Sequence, residues 1–338
     1  MPAAVGAGRD AELAAVLAAE LGGALVADLE GDGRHRAVAG EQLATGLGET
    51  HVCARELAKL GAEVLLLNRE SPRSARAAEQ LRAEVPGAEL VPIVCDLQDF
   101  GSVRSAAEAV RAKYGVVDVL CNNAGVMALP DQATKDGYDV QMQTNCLSHF
   151  LLTKALFGAI AKSADGRVVN HTSMARLGPP LAPEYFGKHG GDLGGDGTEE
   201  ENTSFAGPRW ARYHQTKLAN CAFAYGLKQR LDARAITNVK VLLAHPGLAA
   251  TSLQTTTAET GGMDANSGLM NNAQSAEDGA LGIIRGCADP EARSGDFYGP
   301  KQWVGFPGKL EPEDLLFDLE NIRVNWEGCE TAVGPFQI

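Results

Sequence analysis

The chain has 338 residues, of which 45% are hydrophobic and 22% are charged. A chain of this length can form one large or two ordinary domains, and its composition argues against wholesale disorder. Acidic residues outnumber basic residues by 43 to 30, so the net charge at neutral pH is -13. Binding to a phosphate backbone requires a basic surface, so a nucleic-acid partner is disfavoured.

Cysteine usage and hydropathy indicate the compartment. The seven cysteines form no C-x-x-C pair, so no metal site is predicted. Several lie in apolar strand or helix patterns, which is typical of small buried residues in a reducing compartment. No segment has the apolar length of a membrane span, and no secretory signal is recognisable. We therefore expect a soluble protein of the cytoplasm or of an organelle stroma or matrix.

Residues 1–33 are predicted to form a helical leader, with a short amphipathic helix over residues 10–21. Strand-like and helical stretches then alternate to about residue 300. This pattern predicts an α/β fold with a doubly wound parallel sheet of about seven strands and helices on both faces. The predicted strands are His35–Ala39, Glu63–Leu67, Leu90–Cys95, Val117–Asn122, Arg167–Thr172, Val239–Ala244 and Asp296–Tyr298. The predicted helices are Glu49–Leu60, Ser74–Val85, Gly101–Lys113, Gly137–Ala161, Trp210–Asp232 and Ser275–Gly286.

Ligands of such sheets bind beyond the carboxyl ends of the strands. After the first strand, Gly40, Gly46 and Gly48 form a glycine-rich turn before a helix. Such turns bring backbone N–H groups close to a pyrophosphate. Here five residues separate the first two glycines, and Glu41 adds a negative charge. On this segment alone, a cofactor turn and an ordinary connection are equally favoured.

The next two strands each end in a charged residue. Arg69 follows the second strand and suits a 2′-phosphate, which favours NADP over NAD, although it also fits a solvated strand end. The third strand ends at Asp96 and Leu97, where the carboxylate fits either the sheet edge or the commoner role of a helix cap.

Asparagines and a serine follow at later positions. Asn122, Asn123, Ala124 and Gly125 end the fourth strand, where amides can tie strands together and glycine permits close approach of a ligand. Asn145 lies in a long helical pattern, and asparagine disfavours helix interiors, so a specific hydrogen-bonding role is expected. Ser173 follows the fifth strand, where either a cleft-facing hydroxyl or a structural serine fits.

Tyr213 and Lys217 lie four residues apart in a predicted helix, which places them on one face. The ammonium charge favours the phenolate, so we expect a lowered tyrosine pKa and proton exchange nearer neutral pH. The Y-x-x-x-K spacing is common by itself, and an ordinary surface helix is the alternative.

Taken in order, these residues resemble the short-chain dehydrogenase/reductase family, whose fold is of the Rossmann type. The resemblance extends from Gly33 to Pro300 and includes His245-Pro246-Gly247 followed by Thr251. The phrases Asn145–Thr153 and Lys217–Asn220 are most similar to the retinol-dehydrogenase and protochlorophyllide-reductase-like branch.

The resemblance implies a role for each matching residue. Tyr213 would be the general acid or base, Lys217 would lower its pKa and hold the nicotinamide ribose, Ser173 would orient the substrate oxygen, and Asn145 would hold a relay water. Cofactor contacts would come from Gly40, Gly46, Gly48, Arg69, Asp96, Leu97, Asn123, Ala124, Gly125, Tyr213, Lys217, Pro246, Gly247 and Thr251. The implied activity is NADP(H)-dependent oxidation or reduction of a small-molecule alcohol or carbonyl, with an apolar substrate.

Two features depart from the family pattern. The usual turn, T-G-x-x-x-G-x-G, would place a glycine at Gln42. The interval from Ser173 to Tyr213 is forty residues, so residues 174–209 form an insertion that fits either a lid or an acidic surface loop. Residues 251–274 would cover the substrate. The apolar tail, residues 301–338, is expected to pack on the domain or on a partner.

Alternative functions remain at this stage. The distorted glycine turn and the apolar tail also fit a catalytically retired scaffold or a nucleotide-sensing subunit of a larger assembly. Light-dependent reduction of a pigment rests on branch analogy alone. A homodimer is compatible with the resemblance, because family members often dimerise through the helices that carry Asn145 and Tyr213.

Overall fold

The computed structural model describes residues 36–41, 49–195, 205–264 and 268–338. The predicted leader, Gln42, Gly46 and Gly48 lie outside the described residues. Eight strands form one sheet with the order β3-β2-β1-β4-β5-β6-β7-β8. The strands are β1 Arg36–Glu41, β2 Glu63–Asn68, β3 Leu90–Val94, β4 Val119–Asn122, β5 Gly166–His171, β6 Val239–Ala244, β7 Phe297–Gly299 and β8 Gly308–Lys309.

The first seven strands are parallel, and β8 pairs antiparallel with β7. The predicted doubly wound α/β fold is therefore confirmed. All seven predicted strands are present with ends within two residues of the prediction. The short β8 was not predicted, because a two-residue strand carries no alternating pattern.

Eight α-helices of eight residues or more lie in the described residues. They are α1 Glu49–Lys59, α2 Pro72–Glu84, α3 Phe100–Lys113, α4 Ser148–Ile160, α5 Pro208–Asp232, α6 Ser252–Glu259, α7 Ala276–Ala288 and α8 Leu319–Val333. Two apolar layers cover the two faces: α1, α2 and α7 pack on one face, and α3, α4, α5 and α8 pack on the other. This arrangement leaves the carboxyl ends of the central strands open.

The predicted continuous helix Gly137–Ala161 is interrupted. A helical turn, Val140–Met142, and a π-helical segment, Gln143–Leu147, precede α4. Asn145 lies in the π-helical segment and is fully buried. Its side-chain amide accepts a hydrogen bond from Val126 N and donates one to Val126 O, both at 2.8 Å. The side chain therefore binds a neighbouring loop and not its own helix. The periodic sequence predicts helix here but carries no signal for the extra residue per turn.

The C-terminal segment packs on the domain itself. Trp326 of α8 stacks on Phe336 at 5.6 Å and meets the edge of Phe150 of α4 at 5.1 Å. On its other side, the Arg230 guanidinium of α5 lies 3.5 Å above its ring. The chain's own tail therefore covers the outer face of α4 and α5.

The described part of the insertion is anchored at several points. The Asp131 carboxylate accepts hydrogen bonds from the backbone of Gly191 and Leu193. Arg176 forms an ion pair of 2.5 Å with Glu313 of the tail. Residues 196–204 of the insertion lie outside the described residues. The described remainder is held against the body by these contacts.

All seven cysteines lie in described parts of the chain, and each is buried and free. Burial raises the pKa of the Cys95 thiol to about 12 and that of Cys221 to about 11. The thiols of Cys95 and Cys221 are therefore protonated and pack as small apolar groups. None of the helices in the described residues has the length and apolar character that crossing a bilayer demands.

Candidate active site

A cavity of about 600 Å³ opens at the carboxyl ends of the parallel strands. The segments that follow β4, β5 and β6 line it, together with the amino-terminal ends of α1 and α5. Ten of the residues predicted from the sequence line this cavity. They are Arg69, Asn123, Ala124, Gly125, Ser173, Tyr213, Lys217, Pro246, Gly247 and Thr251.

Tyr213 lies in α5, is only 3% exposed, and lines the cavity together with Ser173. Burial raises the pKa of Tyr213, the Ser173 side chain opposes that shift, and the charge of Glu49 adds to it. The expected lowering of this pKa is therefore wrong, because loss of hydration outweighs the lowering effect of Ser173. The phenol is protonated at neutral pH.

Lys217 lies one helical turn further along α5 and is also buried. Its Nζ is 5.7 Å from the centre of the Tyr213 ring and donates to the backbone oxygen of His171 at 3.3 Å. Burial lowers the pKa of Lys217 to about 8, against a raising effect of Glu49. The amine is thus close to half-protonated slightly above neutral pH.

Asn145 does not line the cavity but lies directly behind it. Its Nδ2 donates to Thr216 Oγ1 at 3.0 Å, in addition to the pairing with Val126. A Cβ placed on Gly125 would lie 3.1 Å from Asn145 Oδ1 and 3.6 Å from Lys217 Nζ. Glycine at position 125 therefore keeps this part of the cavity open toward the lysine.

Two arginines and an amide form the far end of the cavity. Arg69 follows β2, Arg73 lies in the first turn of α2, and Gln98 precedes α3. Asn123 Nδ2 donates to the Thr50 hydroxyl of α1, so it ties the end of β4 to that helix. Two guanidinium groups at a strand end provide a cationic site suited to a phosphate.

The turn after β6 forms the opposite wall. Gly247 has φ +68°, and a Cβ there would lie 2.7 Å from Pro300 Cγ. This position therefore favours glycine on conformational and steric grounds. The Thr251 hydroxyl accepts from Leu253 N at 3.4 Å and takes part in a capping box with Gln254, so it begins α6 as well as lining the cavity.

Three predicted cofactor residues are not brought into the cavity. The Asp96 carboxylate accepts from Gln98 N at 2.9 Å, which fixes the turn before α3, and Leu97 is buried in the apolar core. Gly40 lies within β1, opposite Leu67 of β2, and not in a turn. Gly46 and Gly48 belong to the undescribed stretch.

The sequence analysis missed several cavity residues. Glu49 and His171 both line the cavity, and the Glu49 carboxylate lies 3.8 Å from His171 Nδ1. No local motif marks this pair, because one residue begins α1 and the other ends β5. The apolar lining residues that were also missed are Met127, Leu177, Phe205, Trp210 and Trp303. Leu253 and Met263 also line the cavity, and both lie in residues 251–274, which were predicted to cover the substrate.

Comparison with known proteins agrees with this geometry. The family model described as short chain dehydrogenase matches residues 42–186. The chain is 36% identical to retinol dehydrogenase 12 of Bos taurus over 212 residues, or 62% of this chain and 60% of that protein. Residues 42–186 belong to the short-chain dehydrogenase/reductase family. The similarity to retinol dehydrogenases is to the retinol-dehydrogenase-like branch of that family.

Other relatives support the same assignment. Human retinol dehydrogenase 14 is 35% identical over 225 residues, which cover 62% of this chain and 60% of that protein. The chain thus spans less than two thirds of the length of these curated relatives. A crystal structure of an uncharacterised protein from Mycobacterium paratuberculosis is 28% identical, covers 92% of this chain and 98% of its own, and has a TM-score of 0.67. A Shigella flexneri family member in complex with NADP shares the fold at 19% identity and a TM-score of 0.56, covering 80% of this chain and 97% of its own.

Proposed function

We propose that this family member is an NADP(H)-dependent oxidoreductase that transfers a hydride between a nicotinamide and the carbonyl or alcohol carbon of an apolar small molecule. One observation carries the proposal. The buried Tyr213 and Lys217 line the same cavity as Ser173, at the carboxyl ends of parallel strands. A phenol, a hydroxyl and an amine in one partly dry cleft form a proton-transfer site.

The cavity has features that suit a dinucleotide. Its volume of about 600 Å³ lies within the range of cofactor and ligand pockets. Gly125 and Gly247 keep space open where a Cβ would approach Lys217 or Pro300. Arg69 and Arg73 supply two guanidinium groups at the far end, which favours a 2′-phosphate and therefore NADP(H).

When bound, the nicotinamide would supply or accept the hydride. Tyr213 is protonated at neutral pH, so it can donate a proton to a carbonyl oxygen during reduction. Ser173 would hold that oxygen beside the phenol. The ammonium form of Lys217 stabilises the phenolate that remains, and Asn145 fixes the backbone behind it through Val126 and Thr216. The reverse sequence of proton transfers serves alcohol oxidation.

The remaining cavity wall supports an apolar substrate. Met127 and Trp210 are buried beside Tyr213, and Leu253 packs against the same cluster. Met263 closes this side and is 8% exposed. A polar substrate would lose hydration against these side chains without gaining hydrogen bonds. We therefore include an apolar aldehyde, ketone or alcohol in the proposal.

Cofactor titration tests this function directly. Trp210 and Trp303 line the cavity, so their fluorescence should report binding of NADPH and NADH. We expect tighter binding of NADPH, and Arg69→Ala should weaken NADPH binding by about tenfold to a hundredfold, because a charge-assisted contact to phosphate is lost. NADH binding should change little. Arg76→Ala, an exposed arginine of α2 outside the cavity, is the matched control.

Each of the other possible results of this experiment distinguishes between the proposed function and an alternative to it. Equal affinity for NADPH and NADH in the wild-type protein would contradict the NADP preference but leave the oxidoreductase intact. Failure to bind either cofactor would contradict the proposal and favour the scaffold hypothesis. Turnover that occurs only with an illuminated pigment would replace it with the pigment-reductase hypothesis.

A further inference from the structure

The Glu49 carboxylate occupies an unusual place. It begins α1, lines the cavity and has a side chain that is 13% exposed. A Cβ on Gly279 of α7 would lie 2.8 Å from Glu49 Oε1 and 3.4 Å from Pro246 Cβ. The carboxylate is thus wedged where α1, α7 and the turn after β6 meet.

His171 connects this carboxylate to the lysine. Its ring Nδ1 lies 3.8 Å from Glu49 Oε2, while its backbone oxygen accepts from Lys217 Nζ. Its Nε2 is buried and has no hydrogen-bond partner among the described residues, although the residue lines the cavity. Burial, together with the charge of Lys217, holds the pKa of His171 well below its ordinary value. The imidazole is therefore neutral and cannot itself balance a charge.

We propose that Glu49 is the counter-charge that keeps Lys217 protonated, which makes it a positioning residue for the Tyr213–Lys217 pair. The proposal rests on the proposed function for its catalytic meaning, but the electrostatic relation between the two residues does not require a cofactor. Glu49 acts through Lys217 and is not itself a proton donor to substrate.

The electrostatic effects on the two groups are reciprocal. Burial raises the pKa of Glu49 to about 7, and the charge of Lys217 opposes that rise. Burial lowers the pKa of Lys217 to about 8, and the charge of Glu49 opposes that fall. Each group therefore favours the ionised form of the other. A buried ammonium without such a partner would lose its proton closer to neutral pH.

Other titratable groups around Lys217 do not replace Glu49. They are His149 of α4, His171 of β5, Tyr213 and Cys221 of α5, and His245 after β6. Burial lowers the pKa of His149 to about 4 and that of His245 to about 3, so both are neutral. The pKa of Cys221 is raised to about 11, so the thiol is neutral as well. Among these groups and Glu49, only the Glu49 carboxylate, with a pKa of about 7, ionises to a negative charge near neutral pH.

The test measures the proton affinity of Lys217 without using turnover. Acetic anhydride reacts only with the neutral amine, so acetylation of Lys217, followed by peptide mass spectrometry from about pH 6 to pH 10, reports its titration. In the wild-type protein the midpoint should lie near 8. In Glu49→Gln the midpoint should fall by about one pH unit, which is a tenfold loss of proton affinity.

Two further variants complete the design. Glu49→Asp keeps the charge and should restore most of the shift. Glu56→Gln removes a carboxylate from the same helix, where it pairs with Arg55 and Lys59 outside the cavity, and should leave the midpoint unchanged. An unchanged midpoint in Glu49→Gln, or an equal fall in Glu56→Gln, would overturn the proposal. So would a wild-type lysine that reacts only above about pH 10, as an ordinary lysine does.

The proposed activity, where present, gives an independent readout. In Glu49→Gln the loss of activity on the alkaline side should move to lower pH, while Glu49→Asp should follow the wild-type profile. If acetylation shifts as expected but no cofactor binds, the counter-charge stands and the oxidoreductase proposal fails. If cofactor binds but the acetylation midpoint does not move, the oxidoreductase proposal stands and the counter-charge proposal fails.

Discussion

Replacing Tyr213 with Phe should lower kcat/KM by about 10² to 10⁴-fold, because the proposed mechanism transfers the phenolic proton to or from the substrate oxygen. The affinity for NADPH should remain within about twofold, since the aromatic ring and the lysine beside it are retained. The ring also keeps its edge-to-face contact with Trp210, whose centroid lies 5.7 Å away. Steady-state kinetics and fluorescence titration on the same preparation measure both quantities.

Tyr225→Phe is the matched control for this substitution. Tyr225 lies in the same helix, is 9% exposed, and is not part of the cavity. Its hydroxyl is buried and has no hydrogen-bond partner in the part of the chain that the structure describes, so removing it should leave both kcat/KM and stability close to those of the wild type. Turnover by Tyr213→Phe at the wild-type rate would contradict the assigned role of Tyr213. Equal losses in both variants would point to damage of α5.

Replacing Trp326 with Ala should lower the free energy of unfolding by about 3–5 kcal/mol, because a large buried aromatic is removed from a packed face. Trp326 contacts Phe150, Phe223 and Phe336, and it is 4% exposed. The Arg230 guanidinium would also lose the ring that it covers. Urea unfolding followed by circular dichroism measures the change.

Trp303→Ala provides the comparison for the tail. Trp303 is 53% exposed at the mouth of the cavity, so its loss should cost about 0.5 kcal/mol or less. If Trp326→Ala were no more destabilising than Trp303→Ala, the tail would not be part of the core. We also expect Trp326→Ala to self-associate in size-exclusion chromatography, because the apolar faces of α4 and α5 would be less well covered.

The fold was predictable because its strands are short apolar runs separated by helical stretches, as in Val239–Ala244, where predicted and observed limits coincide. The π-helical segment at Asn145 was not predictable. Asn145 in this segment is hydrogen-bonded to the backbone of Val126, a loop residue that comes next to it only when the chain folds. Hydrogen bonds between a side chain and a separate segment leave no periodic pattern in the sequence. The two-residue β8 failed to appear in the prediction for a similar reason.

The candidate site was predictable where a residue matched an ordered motif, as Ser173, Tyr213 and Lys217 did. The pKa of Tyr213 was predicted in the wrong direction, because sequence spacing reveals a neighbouring charge but not the burial that outweighs it. Glu49 and His171 were overlooked because α1 and β5 become neighbours only in the folded sheet. Asp96 does not cap α3, because Asp99 is the N-cap of that helix; the Asp96 carboxylate instead accepts from Gln98 N in the turn before it.

The position of β1 between β2 and β4 has a consequence for how the molecule folds. One edge of β1 pairs with β2, the next strand in the chain. The other edge pairs with β4, which follows only after β2 and β3. The helices α1 and α7 pack against each other over this part of the sheet. They are far apart in the sequence, because α1 follows β1 and α7 precedes β7. Closing such long loops costs entropy before any contact offsets it, so assembly is slow. During that interval the apolar strands are open to other chains, and correct folding competes with aggregation.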